Sequence, residues 1–245
     1  NREQVVVISK CGNCDSDGSV CVNRKVIETE LVESLQALQT DYIDMYWLHR
    51  DEPSRPVEEI IETLNSNIKK GNIRYIGCSN WMPDRIAKAN EYADKNGLKP
   101  FIASQFEWSL ARMFCPEAPL DDLPYMDDAM YEFHKSSGLT AFAYSSQGNG
   151  FYSKLAALGE EKLPERLKKH FLNDRNRKAF QRILKLSKET GYSVTQISLA
   201  FINSQYDFVG IPIIFSRTHE QFLDSLSAAD VHLTPQMVDA LLKED

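Results

Sequence analysis

Six short apolar runs in this sequence end in residues of the kinds that bind and turn over ligands. Lys10 closes the run at residues 5–9 and His49 the run at 43–48. Ser79 and Asn80 follow residues 73–78, and Gln105 follows 101–104. Tyr144 and Ser145 follow residues 139–143, and Ser216 and Arg217 follow 208–214. A cation, an imidazole and a set of amides and hydroxyls can together bind a carbonyl compound and manage its protons. Hydride reduction of a carbonyl leaves an oxyanion that must be protonated. A Tyr hydroxyl, with a pKa of about 10, can do this when a nearby cation lowers that value, and Lys10 is suited to be the cation. His49 can hydrogen-bond the carbonyl oxygen and orient it. Asn80 and Gln105 can pair with a carboxamide, and the flat ring of Tyr144 offers a stacking platform. Each residue alone has a plainer reading: a solvated lysine, a structural histidine, a glutamine that satisfies backbone groups.

The runs alternate with helical periodicities. The β-branched stretch at residues 5–9 reads as a buried strand. Ile27, Leu31, Leu35 and Leu38 form one helical stripe, with Glu28, Glu30 and Glu33 off it. Val57, Ile60, Ile61, Leu64 and Ile68 form a second, ended by Gly71. A third helix covers residues 83–96 and stops at Gly97; Met126, Met130 and Phe133 mark a fourth. Later helices centre on Phe180, Ile183 and Leu184, then on Val194, Ile197 and Phe201. Thr218 with Gln221 reads as a capping box, and Thr234 with Pro235 as the start of a terminal helix. Repeated strand-then-helix units imply a parallel sheet with helices outside it. An open doubly wound sheet and a closed barrel both fit. No G-x-G-x-x-G follows a strand, so the dinucleotide fingerprint of the open fold is absent. In either architecture ligands bind at the carboxyl ends of the strands, where these polar residues fall.

The 245 residues fit one α/β domain covering the whole chain, and 42% hydrophobic with 26% charged residues is an ordinary globular composition. The net charge of −7 argues against nucleic acid and anionic membrane as partners. There is neither an apolar run of the roughly 18–20 residues a span needs nor a signal peptide, so a cytoplasmic protein is expected. Five cysteines, an odd number, argue against a disulfide framework. Cys11, Cys14 and Cys21 cluster, but no second close pair and no histidine at ligand spacing follows, so free thiols are expected rather than a metal site.

The segments YIDMYWLHRDEP, GNIRYIGCSNW, ASQFEWSL, FAYSSQGNGF and IPIIFSRTHEQFLDSL, in that order and spacing, resemble the aldo-keto reductases over essentially the whole chain. The resemblance implies a TIM-type (β/α)8 barrel that uses NADPH or NADH to reduce aldehydes and ketones. It implies that Lys10 and His49 match the lysine and histidine of the family's Asp, Tyr, Lys and His set. It implies that Ser79, Asn80 and Gln105 hold the cofactor carboxamide and that Tyr144 stacks on the nicotinamide. Ser145, Gln147, Ser216, Arg217 and Gln221 are the further cofactor residues it implies. The sequence departs from the family in two places. The family's Asp and Tyr precede the strand carrying the lysine, which here is residue 10. Both are therefore expected upstream of Asn1, together with two strands, making this chain an incomplete barrel of about six βα units that is inactive alone. Near residue 216 the family often places a Lys or Arg for the adenosine 2′-phosphate. This chain has Ser216 and Arg217, with Gln221 where an Arg is common, so the choice between NADP and NAD is open.

Two other readings stand beside this one: a non-catalytic cofactor-binding or regulatory member of the fold, and a Schiff-base lyase with Lys10 as nucleophile. The second leaves Ser79, Asn80, Gln105 and Tyr144 without a common task. The partner expected is a small carbonyl or alcohol; the sequence sets neither its identity nor the oligomeric state. Substrate choice is expected in the loops at residues 50–56, 106–124 and 148–175, with Trp47, Trp81 and Trp108 as candidates to line an apolar pocket. The excursion after Tyr144 reads either as a lid or as a helical insertion packed on the rim. In the lid reading Gly148 and Gly150 sit at its base, and Phe151, Tyr152 and Leu155 lie over a ligand.

Overall fold

The computed structural model describes residues 2–13, 18–113 and 123–243. Contacts divide the chain into two compact units, Asn1–Gln105 and Phe106–Asp245. In both, strands alternate with helices and the described strand pairs are parallel, the α/β arrangement of a TIM-type barrel, with six strands among the described residues.

The first unit runs β1 (Ile8–Cys11), α1 (Arg24–Leu38), β2 (Ile43–Leu48), α2 (Val57–Lys69), β3 (Ile73–Ser79), α3 (Pro83–Lys95) and β4 (Phe101–Glu107). Asn23 caps α1 by accepting from the Val26 N–H at 2.9 Å. Glu58 and Glu59 sit in the first turn of α2, where the helix dipole favours negative charge. Pro83 opens α3, a position where its missing N–H costs nothing. Strands β1 to β4 pair in sequence order, with Lys10 opposite Trp47, Trp47 opposite Gly77, Gly77 opposite Ala103 and Ser79 opposite Gln105. Side chains alternate along a strand and register partners share a face. Lys10, Trp47, Ser79 and Gln105 therefore lie on one face, while Cys11, Tyr46, Leu48, Cys78 and Ser104 lie on the other. Gly77 makes this packing possible: a Cβ there would sit 2.8 Å from both Met45 Cε and Trp47 Cε3.

The first strand departs from its sequence reading. Pairing starts at Ile8 rather than at residue 5, and Val5 and Val6 are 56% and 73% exposed. Arg2 explains the shift. Its guanidinium donates to Thr40 Oγ1 at 3.0 Å and to the Tyr42 carbonyl at 2.8 Å, which ties residues 2–4 into a 3-10 turn ahead of the strand. Lys10 is consequently inside β1, and Cys11 ends it. Gln105 likewise lies within β4, which is longer than the expected 101–104.

The second unit holds α4 (Asp128–Ser137), β5 (Thr140–Tyr144), α5 (Phe151–Leu158), α6 (Glu165–Phe171), α7 (Asp174–Thr190), α8 (Val194–Asn203), β6 (Gly210–Pro212), α9 (His219–Leu226) and α10 (Pro235–Leu242). Its core gathers Phe106, Trp108, Phe151, Tyr152, Phe171, Phe201 and Phe208. Strand β6 spans three residues, not the expected 208–214: Pro212 has no N–H for the ladder, and Ile211 and Ile213 are exposed. Residues 148–175 are mostly helical. Phe151, Tyr152 and Leu155 are buried in the unit's core rather than presented for a ligand, which corrects the lid expectation for these side chains. Thr218 accepts from Gln221 N at 3.2 Å as a cap should, but Gln221 Oε1 accepts from Arg217 N at 3.1 Å, so the expected reciprocal box is only half made. Thr234 caps α10 through Met237 N, as its sequence implied.

Candidate active site

In the first unit the strand ends converge on one hydrogen-bonded cluster. Lys10 Nζ, from β1, donates to Gln105 Oε1, on β4. Ser79 Oγ lies 3.5 Å from the same oxygen. Asn80 joins the remaining pieces: its Nδ2 donates to Ser79 Oγ at 3.0 Å and to the His49 carbonyl at 3.1 Å, and its N–H donates to the Gln105 carbonyl at 2.8 Å. The His49 N–H in turn reaches the Cys11 carbonyl at 2.7 Å. Asn80 has φ of 60°, a left-handed conformation that asparagine tolerates better than most residues. Ser79, Asn80 and Gln105 are all buried. The contacts from Lys10 and Ser79 both fall on the Gln105 side-chain oxygen.

Electrostatics separate the two titratable members from their ordinary values. Burial lowers the pKa of Lys10, and the Arg50 cation adds to the effect. Burial also lowers that of His49, helped by the charges of Lys10 and Arg50. A histidine held below its free value is a neutral imidazole at physiological pH, able to donate from one nitrogen and accept at the other.

The segment after His49 is held by α3. Trp81 Nε1 donates to the Arg50 carbonyl at 3.2 Å. Arg85 lies over the Trp81 ring at 4.8 Å, pairs with Asp51 at 2.7 Å, and donates to the carbonyls of Glu52 at 3.0 Å and Arg55 at 2.8 Å. Trp81 also meets Phe101 edge-on at 5.3 Å. Trp47 and Trp81 are both buried, Trp47 against Gly77. Sequence reasoning passed over Arg50 and Arg85. No spacing rule connects Asp51 to a residue 34 positions on, although an arginine directly after a strand-end histidine was a readable signal for Arg50.

In the second unit Tyr144 ends β5, and its carbonyl accepts from Trp108 N at 3.2 Å. Ser145 has a positive φ of 53°. Gln147 Nε2 donates to Ser225 Oγ at 2.9 Å. Ser216 Oγ is buried with no hydrogen-bond partner, and Arg217 is exposed. Lys154, which sequence reasoning also missed, donates to the Asn149 carbonyl at 2.7 Å. Its pKa is lowered by burial and then by Arg217, so two cations stand near each other here. Trp108 is buried among Phe106, Phe201 and Phe208.

Cys14, half of the C-x-x-C pair, lies outside the described residues. Cys11, Cys21 and Cys78 carry free thiols. Burial pushes the Cys11 thiol up to about 12, with Tyr46 opposing, so it is not a ready nucleophile. Among the described residues no group of three or more His, Cys, Asp or Glu is placed to hold a metal, and no helix is long and apolar enough to cross a membrane.

A family model described as the Aldo/keto reductase family matches residues 1–243. A putative aryl-alcohol dehydrogenase of Saccharomyces cerevisiae is 27% identical over 256 residues, covering 98% of this chain and 84% of that protein. An uncharacterized oxidoreductase of Bacillus subtilis is also 27% identical, covering 98% of this chain and 72% of the relative. An NADP(+) aryl-alcohol dehydrogenase of Phanerodontia chrysosporium is 24% identical over 98% of this chain and 64% of its own length.

Proposed function

Since the chain belongs to the aldo/keto reductase family, we propose that it exchanges hydride between NADPH or NADH and an aldehyde or ketone. The observation that carries this reading is the cluster in which Lys10, Ser79 and Gln105 share one oxygen while Asn80 ties Ser79, Gln105 and His49 together. Lys10 supplies the cation that acidifies a Tyr proton donor of the kind this family uses. Neutral His49 donates to the carbonyl oxygen and fixes its orientation.

The residues present fit a nicotinamide cofactor, which supplies the hydride when bound. The side-chain amide of Gln105, with Asn80 and Ser79 beside it, suits a carboxamide. In the second unit Tyr144 suits a flat ring, and Ser145, Gln147 and Gln221 are assigned to cofactor binding. The orphaned hydroxyl of Ser216 asks for a partner, and the paired charges of Arg217 and Lys154 suit a phosphate. That pairing favours NADP(H). Trp47, Trp81 and Trp108 are assigned to the apolar surroundings of the substrate. Free thiols at Cys11, Cys21 and Cys78 agree with a cytoplasmic setting.

The test is reduction of an aromatic aldehyde by the full-length protein with NADPH or NADH, alongside cofactor binding followed by fluorescence. Binding without turnover would favour the non-catalytic reading; neither binding nor turnover would remove both.

A further inference from the structure

Beside the cluster stands a cation, Arg50, that opens the 50–56 loop and to which the proposed reaction gives no task. Arg50 follows His49 directly, at the end of β2. It is half-buried, and its Nε is fully buried without a hydrogen-bond partner. A buried guanidinium N–H left unpaired is costly and calls for an acceptor. The charges acting on Lys10 and His49 are cationic: Arg50 on Lys10, and Lys10 with Arg50 on His49. No carboxylate of the described residues enters that balance. Asp51, the adjacent acid, is committed to Arg85 at 2.7 Å, and Glu52 to Arg55 at 2.9 Å.

The backbone that carries Arg50 is fixed on both sides. The His49 carbonyl accepts from Asn80 and the Arg50 carbonyl from Trp81 Nε1, while Arg85 holds the carbonyls of Glu52 and Arg55. A guanidinium rooted in so constrained a segment is organised before any ligand arrives. Its planar fork matches a carboxylate with two parallel hydrogen bonds, and little ordering remains to oppose binding.

We propose that Arg50 is an anion subsite that selects carbonyl substrates bearing a carboxylate beside the reacting group. The proposal rests on the oxidoreductase reading for the word substrate, but the subsite itself is a property of unpaired Arg50 on its fixed segment. It acts on which aldehyde binds rather than on the proton transfer assigned to Lys10.

Two readouts test it in the full-length protein. The first is calorimetric binding of benzoate against benzyl alcohol; the second is the kcat/KM ratio of 4-carboxybenzaldehyde to benzaldehyde. The expected result is about a tenfold preference for the anionic member of each pair, as a charge-assisted contact warrants. The preference should collapse to about one in Arg50→Gln and be partly kept in Arg50→Lys. No preference in the unsubstituted protein, a ratio unchanged in Arg50→Gln, or an equal loss for both members of a pair would overturn the proposal. Anion preference in binding that depends on Arg50, in a protein that neither binds nor oxidises NADPH or NADH, would keep the subsite and remove the oxidoreductase reading.

Discussion

Lys10 and Gln105, separated by 95 positions in sequence, meet through the lysine ammonium and the amide oxygen. The partner is neutral. Lys10 therefore keeps its full charge available to a neighbouring group, whereas a carboxylate would have quenched it. Gln105→Glu reverses this. The added carboxylate stabilises the ammonium and moves the Lys10 pKa upward. The expected outcome is that the alkaline limb of the kcat profile shifts to higher pH while the maximal rate falls. An unmoved limb would separate Lys10 from the step that limits turnover.

Lys10→Met is expected to cut kcat by roughly 10²–10⁴-fold, the range of a lost acid–base function, with cofactor affinity largely kept. Stability should move the other way. Burial lowers the Lys10 pKa in the fold, so at neutral pH the folded chain holds a cation it disfavours relative to the unfolded chain. Removing it should leave the melting temperature equal or higher. A lost cofactor affinity with the fold intact would contradict the role given to Lys10.

His49 carries the pH dependence on the acid side. Its folded pKa lies below the free value of 6.5, because burial and the charges of Lys10 and Arg50 oppose protonation. The stability linked to neutral His49 is therefore fully present above pH 6.5 and is lost as pH falls through the folded pKa. An NMR titration of the imidazole should show this depressed value, and in Lys10→Met it should rise toward 6.5. A titration unaffected by that substitution would mean that burial and Arg50 set it without Lys10.

Gly77→Ala tests the packing beneath the cluster. The new methyl would meet Met45 and the Trp47 ring at 2.8 Å. Overpacking of this kind costs about 1–3 kcal/mol, readable as a lowered denaturation midpoint with a changed Trp fluorescence. Full stability would mean that Trp47 swings aside easily.

Asn176 is the corresponding test in the second unit. Its side chain is buried, accepts from Arg112 N at 3.1 Å, and donates to the carbonyls of Arg112 and Phe171, each at 2.8 Å. Asn176→Ala strands those groups and should cost about 2–3 kcal/mol. Faster hydrogen exchange at Arg112 is expected with it; unchanged protection there would show that the loop is held by other contacts.

Periodicity found most of the helices and strands, and the strand-end positions expected for His49, Ser79, Asn80 and Tyr144 are where the structure has them. What stayed hidden has physical causes. The valines at positions 5 and 6 announce β propensity, but pairing needs a neighbour, and Arg2 turns that segment away before β2 comes alongside. Pro212 cut β6 short for want of an N–H. Arg85 was unreadable because its partners lie in another loop, and Lys154 because its nearness to Arg217 depends on how α5 is placed. Phe151, Tyr152 and Leu155 looked like a ligand-covering surface because composition does not say which way a helix turns its apolar side.

Asn80 has a bearing on how this enzyme diversifies. One side chain and its own amide hold the His49 carbonyl, the Ser79 hydroxyl and the Gln105 carbonyl. A substitution there removes the two side-chain contacts at once and strains the left-handed backbone that carries the third, so gradual change has no small move to make at that position. New substrate preferences must arise at positions that no other residue leans on. Arg50 is one, since its backbone is fixed while its guanidinium is free to be exchanged. Relatives that share the Asn80 joint and differ at the residue after the histidine are therefore expected to share a chemistry and divide the substrates among them.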